Sequence, residues 1–174
     1  MKRRVPEERY PLYHPIMPQI QPFLTFNDQA EQAARFYTSI FPNSKITRIT
    51  RYPDLGPGTP FTPGGVMTVD FTLDGRAFTA LNGGPQFKFS QAFSISVLCD
   101  TQQQVDEYWG KFVAAGGTPV ACGWITDHFG VSWQIDPKDL IDLISDPATA
   151  GKAMQTMMTM VKIDGEAIRR AVAT

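Results

Sequence analysis

One pattern is written twice along this chain, and it limits the possible folds more than any single residue does. In the first copy, Gln21-Pro22-Phe23-Leu24-Thr25-Phe26 alternates as a strand does. Leu24 and Phe26 fall on one face and Gln21, Phe23 and Thr25 on the other. Asn27 and Asp28 offer a helix cap, with Glu31 placed to complete a capping box. Ala33, Phe36, Tyr37, Ile40 and Phe41 then supply one apolar helix face, and Pro42 stops it. Residues 45–52 read as a strand and 53–65 as a loop rich in proline and glycine. Met67, Val69, Phe71 and Leu73 alternate with Thr68, Asp70 and Thr72, Asp74-Gly75 predicts a hairpin, and residues 76–81 return as a strand.

The order then restarts. Phe93, Ile95, Val97 and Cys99 alternate with Ser94, Ser96 and Leu98, and Asp100 and Thr101 supply the next cap, with Gln104 three residues after Thr101. Val105, Tyr108, Trp109, Phe112 and Val113 each stand 72 positions after their counterparts in the first helix. Gly116-Gly117 closes that helix, and residues 118–125 and 131–136 read as two strands joined by a turn at Asp127-His128-Phe129-Gly130. Strand, cap, helix face, break and hairpin in one order at one spacing indicate an internal duplication. The expected fold class is α+β, with two tandem βαβββ modules whose mixed sheets cup a groove, helices outside. The expected divisions are an arm over 1–18, a first module over 19–86, a second over 87–145 and a helical segment over 146–174. In that last segment Met154, Met157, Met158 and Val161 suggest a helix that packs on the modules or on a second subunit, and 165–173 suggest another.

Composition serves mainly to exclude. With 43% hydrophobic and 19% charged residues the chain can build a core and is not a disordered segment. A net charge of −1 gives no basic surplus for a phosphate backbone, so a nucleic-acid partner is not expected. No apolar run reaches membrane-spanning length, and prolines interrupt the N-terminus where a secretory signal would need an apolar stretch. Cys99 sits in a strand pattern and reads as a reduced core residue, so a cytoplasmic setting is expected.

The local motifs add a resemblance. Phe36-Tyr37 through Phe41-Pro42-Asn43-Ser44-Lys45-Ile46, then Leu81-Asn82-Gly83-Gly84-Pro85, then Cys122-Gly123-Trp124 and Phe129-Gly130-Val131-Ser132-Trp133-Gln134-Ile135 resemble the PhnB-like family. That group is often labelled 3-demethylubiquinone-9 3-methyltransferase-like and is similar to the vicinal oxygen chelate superfamily of glyoxalases, bleomycin-resistance proteins and extradiol dioxygenases. The resemblance implies the cupped fold and a pairing of modules across a two-fold axis, hence a homodimer. It also implies that a metal, where one is used, is held by His and Glu on the first and last strand of each module. Those positions fall on Gln21, Ser94 and Gln134, and for the last strand of module one near Ala80 to Asn82. Neutral amides and a hydroxyl are weak donors for a divalent ion, and His14 and His128 lie in the arm and in a turn. No metal and no cofactor are therefore expected.

Other chemistry finds little footing. The first strand-to-helix turn, Phe26-Asn27-Asp28-Gln29, lacks the glycines that cradle a nucleotide-type methyl donor, and no G-x-S-x-G elbow or C-x-x-C occurs. What stands out is a set of neutral polar residues on the non-helical side of the strands. Gln21, Thr25, Ser94, Ser96, Ser132 and Gln134, with Phe23, Asp70 and Trp124 beside them, are the candidate groove residues. Two function classes follow: a metal-free small-molecule-binding protein, or an enzyme of the same superfamily, either a metal-dependent lyase or oxygenase or a methyltransferase.

Overall fold

The computed structural model describes residues 20–173, so the expected arm and His14 lie outside the described residues. The first module runs β1 (Phe23–Phe26), α1 (Ala30–Ile40), β2 (Lys45–Arg51), β3 (Val66–Leu73) and β4 (Arg76–Asn82). The second runs β5 (Ser94–Cys99), α2 (Gln102–Ala114), β6 (Thr118–Pro119), β7 (Trp124–Thr126) and β8 (Ser132–Pro137). Three helices follow, α3 (Leu140–Ser145), α4 (Ala150–Met157) and α5 (Gly165–Ala173). The sheets are alike, with orders β1-β4-β3-β2 and β5-β8-β7-β6, and in each the first and last strands pair in parallel.

Some local expectations are corrected. Residues 118–125 do not make one strand. Cys122 and Gly123 both take positive φ, 58° and 80°, and fold the segment into a hairpin that pairs Thr118 with Thr126. A lone glycine gives that turn little sequence signal. Helix α1 is not capped by Asn27 or Asp28. Its N-cap is Gln29 without a side-chain bond, and the Ala30 N–H donates to Asn82 Oδ1 at 2.8 Å, from the end of β4. Helix α2 behaves as its residues suggest: the Gln104 N–H donates to Thr101 Oγ1, and Gln104 Oε1 accepts from the Asp100 N–H. The Met pattern is not the buried stripe of α4. Ala153 is, and it packs in a satellite core with Leu140, Ile163 and Ile168; of the Met pattern only Met157 packs against that core, while Met154, Met158 and Val161 are exposed.

The packing between modules decides what the sheets present. Ala30, Ala33 and Ala34 are fully buried, and their small side chains let α1 lie close on its sheet. Tyr37 of α1 then touches both sheets: its ring centroid is 6.3 Å from Phe71 of β3 and 5.0 Å from Trp133 of β8. Phe36 and Phe41 pack on Phe112 of α2, and Phe41 stacks on Trp133 at 5.6 Å. Both helices thus lie between the apolar faces of the two sheets, in one continuous core. Each sheet keeps its helix on the side opposite its polar face, as expected. What an alternating pattern cannot convey is that the two helices pack on each other in one core, so each polar face lies on the side of its sheet away from that core.

A buried carboxylate fixes that arrangement. Asp127, 4% exposed, accepts four hydrogen bonds. Tyr37 Oη donates to Oδ2 at 2.7 Å and Trp133 Nε1 to the same oxygen at 2.9 Å. The N–H groups of Phe129 and Val131 donate to Oδ1, each at 2.9 Å. Burial and the adjacent Asp127 charge hold the Tyr37 phenol well above its ordinary pKa, so it remains the donor. Replacing the carboxylate strands several buried donors, whereas removing the Tyr37 hydroxyl leaves Asp127 three of its bonds. Asp127→Ala is expected to lower stability by about 3–5 kcal/mol and Tyr37→Phe by about 1–2 kcal/mol in urea denaturation. Equal losses would show that the network does not centre on Asp127.

Candidate functional site

The polar face of module one follows from strand alternation. β3 buries Val69, Phe71 and Leu73 and turns Thr68, Asp70 and Thr72 the other way. β1 buries Leu24 and Phe26 and turns out Phe23, 57% exposed, and Thr25. Register places Thr79 of β4 between Phe23 and Asp70. A chain of hydrogen bonds crosses the face: Gln21 Nε2 donates to Thr79 Oγ1 and Thr79 Oγ1 to Asp70 Oδ1, both at 2.7 Å. Arg48 completes it with Nε 2.8 Å and Nη2 2.7 Å from Asp70 Oδ2. Asp70 is therefore already paired.

Module two carries a parallel arrangement. Ser94 pairs in register with Ser132, and Ser96 with Gln134. Gln134 Nε2 donates to Ser94 Oγ at 2.7 Å, and Trp124 lies directly across from Gln134 on β7. Ser132 is buried, Ser96 exposed, and Leu98 on the same face is 57% exposed. Phe23 pairs with Thr79 as Ser96 pairs with Gln134, so Thr79 is the module-one counterpart of Gln134. The position sought near Ala80 to Asn82 is thereby corrected. Ala80 is fully buried on the helix-packed side, and Asn82 is occupied with α1 and with the Val66 carbonyl. The nine candidates thus fall into two sets: Gln21, Phe23, Thr25 and Asp70 on one sheet, and Ser94, Ser96, Trp124, Ser132 and Gln134 on the other.

One residue escaped the sequence reading. Asp136 continues the Ser132–Gln134 alternation by one more step and stands across from Leu98. It is partly buried, and its carboxylate forms no hydrogen bond or ion pair among the described residues. Burial raises its pKa from 3.8 to about 6. Its surroundings explain this: Leu98 on β5, the backbone of Gly123 and the Ile163 side chain bring no cation. Nearby, the Cys99 thiol is pushed up to about 11 by burial first and by the Asp136 charge next, and Lys138 is occupied by Asp100 at 3.1 Å. Following the period-2 pattern to its end would have found Asp136 in the sequence.

The sign of the linkage is clear. The folded pKa lies above the unfolded one, so the Asp136 charge costs stability. The cost is absent below about 3.8, grows as pH rises towards 6 and is complete above it. Asp136→Asn is expected to be about 1–2 kcal/mol more stable than the parent near pH 8, with the gain fading towards pH 4. Urea denaturation at both pH values checks this, and a loss of stability near pH 8 would reveal a partner for the carboxylate.

The central donors do not suit a divalent metal. Gln21, Thr79, Ser94 and Gln134 are neutral and engage one another, and no group of three or more His, Cys, Asp or Glu among the described residues could hold an ion. His128 packs instead at a tilt on Phe129, ring centroids 3.9 Å apart, and edge-on to Phe36 at 5.0 Å. A cleft of about 680 Å³ lies away from both polar faces, between the start of α1 and the loop after β2. Its lining is self-satisfied: Arg35 pairs with Glu31 at 2.6 Å, and Tyr52 stacks on Phe61 at 4.3 Å. No described helix is long and apolar enough to cross a membrane.

Comparison with known proteins places this geometry. The family described as 3-demethylubiquinone-9 3-methyltransferase matches residues 18–136. A Bacillus cereus protein, described as a putative 3-demethylubiquinone-9 3-methyltransferase or PhnB protein, is 36% identical, with a TM-score of 0.58 over 67% of this chain and 97% of its own. A Pseudomonas aeruginosa protein is 21% identical, with a TM-score of 0.55 over 67% of this chain and 95% of its own, and supports the fold alone. No curated protein matches. The twofold βαβββ architecture and these matches agree: the chain belongs to the 3-demethylubiquinone-9 3-methyltransferase-like (PhnB) family.

Proposed function

We propose that this protein is a metal-free binder of a small molecule, and that its groove forms between module one of one chain and module two of a second copy. One observation carries the reading. The two polar faces are built alike but each lies on the side of its sheet away from the shared core, and each leaves a large apolar side chain, Phe23 or Leu98, 57% exposed beside satisfied polar groups. A mainly neutral lining with scattered apolar area has the chemistry of a small-ligand pocket. A homodimer about a two-fold axis would bring unlike faces together twice, giving two equivalent grooves. The hydrogen-bonded amides leave no charged or imidazole set at the centre, which favours binding over metal-assisted catalysis. The methyltransferase description of the relatives finds no glycine-rich turn here to hold a methyl donor.

Subunit mixing tests the shared groove. Gln21→Trp blocks the module-one face and Gln134→Trp the module-two face, so each variant alone is expected to lose binding of the neutral fluorescent probe N-phenyl-1-naphthylamine. After the two are mixed and reassorted, each heterodimer has one groove with both faces intact, and about a quarter of the wild-type sites should return. No recovery, or a monomer by light scattering at micromolar concentration, would overturn the shared groove. Elemental analysis of dialysed protein is expected to find no stoichiometric zinc, manganese, iron or nickel, and finding one would overturn the metal-free reading.

A further inference from the structure

The two faces each contribute a carboxylate, and the two differ in what holds them. Asp70 accepts from Thr79 and is neutralised by Arg48 at 2.7 Å. Asp136 has neither a donor nor a cation among the described residues, although a carboxylate has room for about four hydrogen bonds. Around it the module-two face offers Ser94, Ser96, Leu98, Trp124 and Gln134, with no Lys or Arg. The seat itself is specific. The Asp136 carboxylate rests against the backbone of Gly123, where a Cβ would stand 2.5 Å from Oδ1 and 2.9 Å from Ile163 Cγ1. The terminal segment is pinned there, because the N–H groups of Cys122 and Gly123 donate to the carbonyls of Met160 and Val161, each at 2.8 Å.

We propose that Asp136 is the charge-selecting residue of the groove, and that the ligand is a small aromatic or apolar molecule bearing a protonated amine. This rests on the groove reading above. A desolvated carboxylate without partners is an unused counter-ion, and a cation delivered by a ligand would meet it in a medium less polar than water. An anionic ligand meets repulsion at the same point. A neutral donor would compete less well, because Gln134 and Ser94 already satisfy each other. The apolar part of the ligand has Leu98 on the same face and the ring of Trp124 diagonally across from Asp136, and an indole favours a nearby cation. Holding this charge costs the fold stability. That is the usual mark of a group kept for a ligand rather than for packing.

Three probes of one size separate the possibilities: 2-phenylethylamine, 2-phenylethanol and 3-phenylpropionate, titrated by calorimetry against the full-length protein near pH 8. The amine is expected to bind about tenfold or more tightly than the alcohol, and the propionate most weakly. Asp136→Asn, nearly the same in shape, should bring the amine down to the level of the alcohol and leave the alcohol unchanged, with its thermal melt confirming the fold. Asp100→Asn, which removes an exposed charge paired with Lys138, should preserve the amine preference. Equal binding of amine and alcohol by the wild type would sink the assignment while leaving the groove in place. A preference that survives in Asp136→Asn would move the selectivity to another residue and equally sink it. If none of the three binds, the ligand class is wrong, and subunit mixing decides separately whether the groove exists.

Discussion

The Asp127 carboxylate is the constraint on which the rest of the structure depends. An isolated ionised group in an apolar interior is costly, and it persists only where its acceptor sites are filled. Here they are filled from two modules at once: by Tyr37 from the first helix, by the Trp133 indole from the last strand, and by two backbone N–H groups of its own turn. Tyr37 and Trp133 are thereby locked into an aromatic cluster with Phe36, Phe41 and Phe112. Aromatic packing alone would tolerate sliding, but directed hydrogen bonds to a single carboxylate do not. The relative orientation of the two sheets, and so the direction each polar face looks, is set at this point.

The four central positions hold amides and hydroxyls that bond in pairs. The pairs are alike in the two repeats, Gln21 with Thr79 and Gln134 with Ser94, though donor and acceptor have changed strands. Such pairs satisfy themselves without an ion and leave neighbouring side chains to give the site its character. Those neighbours have diverged between repeats. Module one neutralises its acid with Arg48, while module two seats its acid against Gly123, beside Ile163, without a cation. A duplicated scaffold has thus acquired two walls of different electrostatic character.

Much of this was legible in the sequence, because alternation with period two and a helix stripe with period 3.6 report directly which residues share a face. The split of Gln21, Phe23 and Thr25 from Leu24 and Phe26, the Asp74-Gly75 turn with φ of 46° and 74°, and the Thr101 cap are examples. What was not legible depends on distant partners. Tyr37 reads as one more apolar helix position, yet its bond reaches a residue 90 positions away. Pattern assigns a residue to a face but not the direction in which that face points, so the outward turn of the two polar faces needed coordinates. Asp136 stands one step past Gln134 in the same alternation, and pattern alone does not tell a carboxylate without a partner from a solvated one.

The helix caps differ in a way that bears on the order of folding. Helix α2 fills its first-turn donors from within its own sequence, Thr101 and Gln104 lying beside it. Helix α1 borrows its cap from Asn82, 52 positions along the chain, so its first turn stays incomplete until the loop through β2 and β3 has closed and β4 has docked. Loop closure costs entropy before it returns contacts. On this argument the second repeat is the more self-sufficient nucleus and the first repeat condenses onto it. Pulsed hydrogen exchange that protected the Ala30 amide before the Gln104 amide would refute that order.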